Sequence, residues 1–295
     1  MKTITIGIPA YNEEINIQNI LTSLLNQKDI SIKRIFIASD ASTDKTNKIV
    51  NSMAKNNSVI KLLNGIHRIG KAKRINQIFK NSDTDFVVIL DADITIESET
   101  TIFNLVKPML KDNSIMLTSG NSKPKVPKNF AQRTAFAGFL FWNKAREITK
   151  NSDLYYCEGP IRAFNRELYK EMIFPASIAE DVYPYLYCMS RGYKFKKTEK
   201  AKIFYTLPAT IKDYSKQMAR AISTHKVQEC NFEKSFLNKY YTIGFKEKIV
   251  SMIGNLARDP FWTLSFLILI GIPKLKDIFI SSADTGVWNI VQSTK

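Results

Sequence analysis

Asp91 and Asp93 stand two residues apart, directly after the apolar run Phe86-Val87-Val88-Ile89-Leu90. On extended backbone, side chains at i and i+2 share a face, so these two carboxylates can converge on one hard cation. A divalent ion held by few protein oxygens keeps open positions for substrate phosphates and neutralises a departing diphosphate. Taken alone, an Asp-x-Asp triplet also reads as a solvated loop. Its place after a strand of continuous apolar character favours the cation.

Three other segments converge on the same sheet edge. Pro9-Ala10-Tyr11-Asn12-Glu13 ends the first strand pattern, and Asp40 ends the second inside Ser39-Asp40-Ala41-Ser42-Thr43-Asp44. Gly70-Lys71-Ala72 opens the helix before the Asp-x-Asp strand. An aspartate at a strand end can accept from a base imide N–H, and a lysine at a helix start can meet base carbonyl or phosphate oxygens. Singly, Asp40 reads as a turn residue, Lys71 as a solvated charge and Tyr11 as packing. In this order they read as one pocket.

The elements that must position these groups alternate along the first half. Residues 3–8 alternate like a strand, and Asn12 can cap a helix with Ile17, Ile20, Leu21, Leu24 and Leu25 on one face. Residues 34–38 read as the next strand, and Thr43 or Asp44 can start a helix carrying Ile49, Val50 and Met53. Residues 59–63 are a short apolar run, Gly65 to Gly70 a loop, and 71–81 a helix. Repeated βαβ units imply an α/β fold with a doubly wound, mostly parallel sheet, whose ligands sit beyond the carboxyl ends of the strands. Farther on, residues 130–150 read as an aromatic-rich amphipathic helix, and another helix begins near Ile211.

Lys and Arg outnumber Asp and Glu by 43 to 27, a net charge of +16 that calls for a polyanionic neighbour. The basic residues are dispersed and no nucleic-acid-binding module is recognisable, so an anionic membrane surface is the expected partner rather than nucleic acid. Cys157, Cys188 and Cys230 are odd in number and form no CxxC pair, which fits a reducing compartment. Met1-Lys2-Thr3 leads into a strand pattern, not a signal peptide. Phe261 to Ile272 runs without a charge between Pro260 and Pro273. Such a length suits an interfacial segment better than a straight span, with Lys274 and Lys276 at phosphate level. A catalytic domain over 1–215 and a helical, membrane-proximal extension over 216–295 are expected, with its apolar segment at about 260–273.

The ordered set Ile8-Pro9-Ala10-Tyr11-Asn12-Glu13-Glu14, Ser39 to Asp44, Gly70-Lys71-Ala72, Asp91-Ala92-Asp93 and Glu180-Asp181 resembles the family 2 inverting glycosyltransferases of GT-A fold. By that resemblance, Pro9, Ala10, Tyr11 and Glu13 would line the nucleotide pocket and Asp40 would hold the base. Lys71 would approach base or diphosphate, Asp91 the ribose, and Asp93 a divalent metal, Mg2+ or Mn2+. The segment Glu158 to Arg166 looks like the family's acceptor side, with Asp181 as general base and Glu180 orienting the acceptor. The chemistry agrees, because inversion needs a carboxylate opposite the leaving group to take the acceptor hydroxyl's proton.

Ala41 departs from the more usual glycine of the second motif. Gln217-Met218-Ala219-Arg220-Ala221 resembles the Gln-x-x-Arg-Trp element of polysaccharide synthases, with Ala221 in place of tryptophan. Gln217 and Arg220 would still reach diphosphate or acceptor, without the stacking platform for a growing polymer. The resemblance implies transfer from a nucleotide-diphosphate sugar, UDP preferred, to a hydroxyl acceptor in cell-envelope, polysaccharide or lipid-linked glycan synthesis. A peripheral or monotopic place on the cytoplasmic membrane face would follow. The competing reading is a basic nucleic-acid- or membrane-binding protein on the same scaffold without catalysis. A sugar nucleotidylyltransferase is disfavoured, because residues 9–13 lack a glycine-rich loop with an activating arginine.

Overall fold

The computed structural model describes residues 2–149, 157–175, 180–229 and 231–271. In chain order the first elements are β1 (Thr3–Ala10), α1 (Ile17–Leu25), β2 (Ser31–Ser39), α2 (Thr46–Asn56), β3 (Ile60–Asn64) and α3 (Lys71–Asn81). Then come β4 (Phe86–Leu90), β5 (Ile94–Ile96), α4 (Thr101–Lys111), β6 (Ile115–Pro124), α5 (Phe130–Ile148), β7 (Ile161–Asn165) and α6 (Arg166–Glu171). The last are α7 (Tyr183–Ser190), β8 (Lys194–Tyr205), α8 (Ile211–Glu229), α9 (Lys234–Tyr240), α10 (Phe245–Arg258) and α11 (Pro260–Gly271).

Two compact units divide this chain, one of residues 1–123 and 156–205, the other of 124–155 and 206–294. The division differs from the expected 1–215 and 216–295. Helix α5 groups with the C-terminal helices because its apolar positions pack against α10 and α11, and the second unit resumes at Thr206.

The first unit is built on an eight-stranded sheet of order β3-β2-β1-β4-β7-β6-β8-β5. Its β3-β2-β1-β4 half is parallel, as the βαβ pattern implies. The pairings of β7 with β4 and with β6, and of β5 with β8, are antiparallel, so the sheet is mixed. The core fills between the parallel strands and their helices: Ile6, Ile8, Val88 and Leu90 are wholly buried, as are Ile17, Leu21 and Leu24 of α1. Gly7 lets α3 come close to β1, since a Cβ there would lie 2.5 Å from Ile78 Cγ2. That close approach sets the start of α3, and with it Lys71, near the strand ends.

Asn12 does not cap the first helix. It takes a left-handed φ of 53°, and its side-chain oxygen accepts from the Thr43 N–H at 2.9 Å, while α1 starts five residues later. This is part of a stitch between the loops after β1 and β2. Asn12 N–H donates to Ser42 Oγ at 3.1 Å, Glu13 N–H to Thr46 Oγ1 at 2.7 Å, and Glu14 N–H to Asp44 Oδ2 at 3.0 Å. Lys45 N–H returns to Glu14 Oε2 at 2.9 Å. Ala41, in the same turn, sits at φ 61°, where a Cβ is strained by about 1–2 kcal/mol. Ala41→Gly is therefore expected to raise stability by about 1 kcal/mol, read as a higher denaturant midpoint with unchanged slope. A lower midpoint would contradict it.

The start of β1 is tied to β4 through Asp85. Its carboxylate accepts from Thr3 N–H at 2.8 Å, Thr3 Oγ1 at 3.0 Å and Lys2 Nζ at 2.9 Å. Partial burial works to raise the carboxyl pKa, and these donors outweigh it, lowering the pKa from 3.8 to about 2. A depressed folded-state value contributes stability above the unfolded pKa that is lost as pH falls. The stability gap between wild type and Asp85→Asn should be full at neutral pH and close between pH 3.8 and about 2. Urea titrations across that window check it; a constant gap would refute the role of the charge.

The second unit is helical. Asn129 caps α5 by accepting from Gln132 N–H at 3.0 Å, and Ser251 of α10 donates to the Phe141 carbonyl at 2.6 Å. On α11, Thr263, Phe266 and Leu269 are buried, whereas Phe261, Leu264 and Ile268 point outward. Among the described residues no helix is long and apolar enough to cross a membrane. Lys274 and Lys276 lie outside the described residues.

Candidate active site

Asp40 lies at the end of β2, 5% exposed, beneath the loop joining β3 to α3. Its Oδ1 accepts from Ile69 N–H at 2.8 Å and from Arg74 Nε at 2.9 Å, and its Oδ2 accepts from Gly70 N–H at 3.1 Å. Arg74, 4% exposed, also donates to the His67 carbonyl at 2.7 Å and to Gln77 Oε1 at 3.0 Å. A side chain at Gly65 would overlap the Arg74 guanidinium, which explains the glycine. The carboxylate thus fixes the 65–70 loop through a buried, charge-assisted network. Arg68, from that loop, lies 3.8 Å above the Tyr11 ring with its Nε 3.6 Å from Asp40 Oδ2.

Lys71 opens α3 and joins two carboxylates that are far apart in sequence. Its Nζ is 2.7 Å from Asp91 Oδ1 and 2.9 Å from Glu180 Oε1. Burial alone would lower the lysine pKa; Asp91, Glu180 and Asp181 outweigh it and hold the ammonium charged, above its ordinary value. Glu180 is 2% exposed, and burial pushes its carboxyl up, with Asp181 adding to the shift and Lys71 opposing it.

Asp91 N–H donates to the Pro160 carbonyl at 3.1 Å, which docks the end of β4 onto the turn before β7. In that turn Gly159 carries the Asp181 carboxylate, because a Cβ at Gly159 would overlap Asp181 Oδ1. Arg162, wholly buried in β7, donates to the backbone carbonyls of Glu180 and Asp181. Carboxylates from two distant parts of the sequence, Asp91 and the Glu180-Asp181 pair, therefore meet around one ammonium at the strand ends.

The family model for glycosyl transferase family 2 matches residues 5–173, more than half the chain. The chain belongs to glycosyl transferase family 2. Its fold is GT-A-like. It is 24% identical over 262 residues to the poly-β-1,6-N-acetyl-D-glucosamine synthase of Staphylococcus aureus strain COL, covering 86% of this chain and 62% of the relative. The chain thus spans less than two thirds of that relative's length. The synthase of the same name from Staphylococcus epidermidis is 28% identical over 116 residues, 39% of this chain and 27% of the relative.

Among solved structures, the mannosyltransferase PcManGT of Pyrobaculum calidifontis, in complex with GDP-Man and Mn2+, superposes with a TM-score of 0.64. It is 19% identical and the match covers 98% of this chain and 81% of that one. Glucosyl-3-phosphoglycerate synthase of Mycobacterium tuberculosis, in complex with Mn2+, UDP and phosphoglyceric acid, gives 0.54 at 16% identity, over 76% and 77%. Both likenesses are likenesses of fold.

Within this family 2 chain, the expected residues fall into three groups. Asp40, Lys71, Asp91, Glu180 and Asp181 gather at the strand ends of the first unit. Pro9, Ala10 and Tyr11 lie at the end of β1, and Asp93 is half-buried between β4 and β5. Glu13 is buried, and its Oε2 accepts from Asn16 at 2.9 Å beside the start of α1, so it braces the loop. Gln217 is exposed on α8 in the second unit, and the Arg220 side chain lies outside the described residues. Arg74 and Arg162 carry structural roles that reading the sequence missed. Their signals were faint: a basic residue one turn after Lys71, and a lone charge inside Ile161-Arg162-Ala163-Phe164.

Asp91 and Asp93 supply hard oxygen donors on one turn, and Asp91 already faces an ammonium at 2.7 Å, so the site accepts positive charge. Among the described residues no group of three or more His, Cys, Asp or Glu side chains is arranged to hold a metal. The donor set is a carboxylate pair, which fits a divalent cation that shares its shell with substrate oxygens.

Proposed function

We propose that the chain transfers one sugar, with inversion, from a nucleotide-diphosphate donor to a hydroxyl of a glycan or lipid-linked acceptor, UDP-sugars being preferred. The observation that carries this reading is the Lys71 ammonium between Asp91 and Glu180, with Asp181 seated on Gly159 next to them. Asp181 takes the proton of the acceptor hydroxyl as its oxygen attacks the anomeric carbon. The bond to the diphosphate breaks on the opposite face. Lys71 remains cationic throughout and offers its charge to the diphosphate oxygens. Asp93, with Asp91, would hold a divalent cation, Mg2+ or Mn2+, whose charge neutralises the leaving diphosphate when bound. Glu180, buried and tied to Lys71, orients this ammonium and does not act as a second base.

Cell-envelope or extracellular polysaccharide synthesis is the setting we favour, at the cytoplasmic membrane face. Supporting it, Phe245, Val250 and Ile253 of α10 and Phe261, Leu264 and Ile268 of α11 are exposed, with Lys246, Lys248 and Arg258 on the same helices. Basic and apolar side chains interleaved in this way suit an anionic bilayer surface.

Turnover of a panel of UDP-, GDP- and dTDP-sugars, with Mn2+, with Mg2+ and with EDTA, tests the reaction. Metal-dependent release of nucleotide, fastest with a UDP-sugar, is expected. No turnover of any donor would reject the reading. Cosedimentation with vesicles containing anionic lipid tests the membrane setting, and removal of residues 240–295 is expected to abolish it.

A further inference from the structure

We infer that Arg162 is a positioning residue for sugar transfer, which fixes the backbone of the Glu180-Asp181 pair and thereby aims the Asp181 carboxylate. The inference rests on the proposed role of Asp181 as general base.

Arg162 stands in the middle of the sheet, opposite Ile89 of β4 and Ser119 of β6. Its strand neighbours Ile161, Ala163 and Phe164 are wholly buried and apolar, and its own side chain is 0% exposed. A guanidinium costs several kcal/mol to bury unless fixed polar partners compensate. Those partners include the carbonyl oxygens of Glu180 and Asp181, the latter at 3.3 Å, both accepting from Nη1. Two successive carbonyls converging on one donor fix the intervening peptide plane, and a strand paired on both sides is a rigid place from which to do so.

The same short stretch holds the side chain as well. Three residues before Arg162, Gly159 lies under the Asp181 carboxylate with no room for a Cβ. Backbone and carboxylate of Asp181 are thus both set by residues 159–162. Because Arg162 is inaccessible, it touches neither donor nor acceptor. Its effect must pass through Asp181 and through the charge it places near Lys71, Glu180 and Cys157.

The test uses the full chain and the variants Arg162→Met and Arg162→Lys. The substrate is the donor that wild type turns over fastest, and UDP with Mn2+ is the binding probe. Arg162→Met is expected to lower kcat about 100-fold, since a misplaced base loses its attack geometry, with donor KM and UDP affinity within about twofold. Arg162→Lys keeps the charge but reaches fewer acceptors, and should lose about tenfold in kcat with the same KM. Lysine thus restores part of the loss, which a packing role alone would not produce. Wild-type kcat in either variant would overturn the inference. Parallel loss of kcat and UDP binding would assign Arg162 to the fold alone and overturn it too. Should Arg162→Met not fold, the kcat and KM of Arg162→Lys decide. Full transfer by Asp181→Asn would instead overturn the reading beneath it.

Discussion

Asp181→Asn is expected to lower transfer by about 10²–10⁴-fold while leaving donor binding intact. The substitution keeps the size of the side chain over Gly159, where a Cβ would overlap it, but cannot accept a proton. The adjacent carboxylate does not substitute for it: Glu180 is 2% exposed and held by Lys71 at 2.9 Å. A transfer assay beside a UDP titration separates the two effects. Full transfer by the variant would sink the assignment of the base, whereas lost UDP binding would move Asp181 to the donor site.

Asp93→Ala should act on the other half of the reaction. Removing one of two carboxylates from the proposed cation site should cost about 3 kcal/mol of phosphate neutralisation, so donor affinity should fall about 100-fold. EDTA added to wild type should reproduce that loss, and the variant should no longer respond to Mn2+. Wild-type donor affinity in Asp93→Ala, or an unchanged response to the metal, would remove Asp93 from the metal site. The two variants together distinguish a chain that binds donor without transferring its sugar from one that has lost its hold on the donor.

Much of this site could be read before the fold was known, because its parts are local. Phe86 to Leu90 is continuously apolar, and such a run between helical patterns is a buried parallel strand, so Asp91 and Asp93 had to emerge at its carboxyl end. Lys71 follows a glycine at φ 88° that ends the loop and starts the helix. What could not be read depends on pairing across long stretches of chain. Asn12 has the chemistry of a helix cap, yet its amide is taken by Thr43, more than thirty residues on. The partners of Arg74 and Arg162 exist only once folding closes carboxylates and carbonyls around them. The antiparallel half of the sheet was equally hidden, since β7 joins β4 only after the chain has passed through β5, β6 and α5. Asp40 is the intermediate case. Its place at a strand end was legible, but its engagement by Ile69, Gly70 and Arg74 was not.

The loops after β1 and β2 are joined by hydrogen bonds running in both directions, from Asn12, Glu13 and Glu14 to Ser42, Asp44 and Thr46, and back from Lys45 and Thr43. For protein engineering they form a single cassette. Grafting a foreign Tyr11 loop alone would strand Thr43 N–H and Lys45 N–H without their acceptors, and grafting the Asp40 loop alone would do the same to Asn12 and Glu13. A transplant of either loop must therefore carry residues 11–14 and 39–46 together.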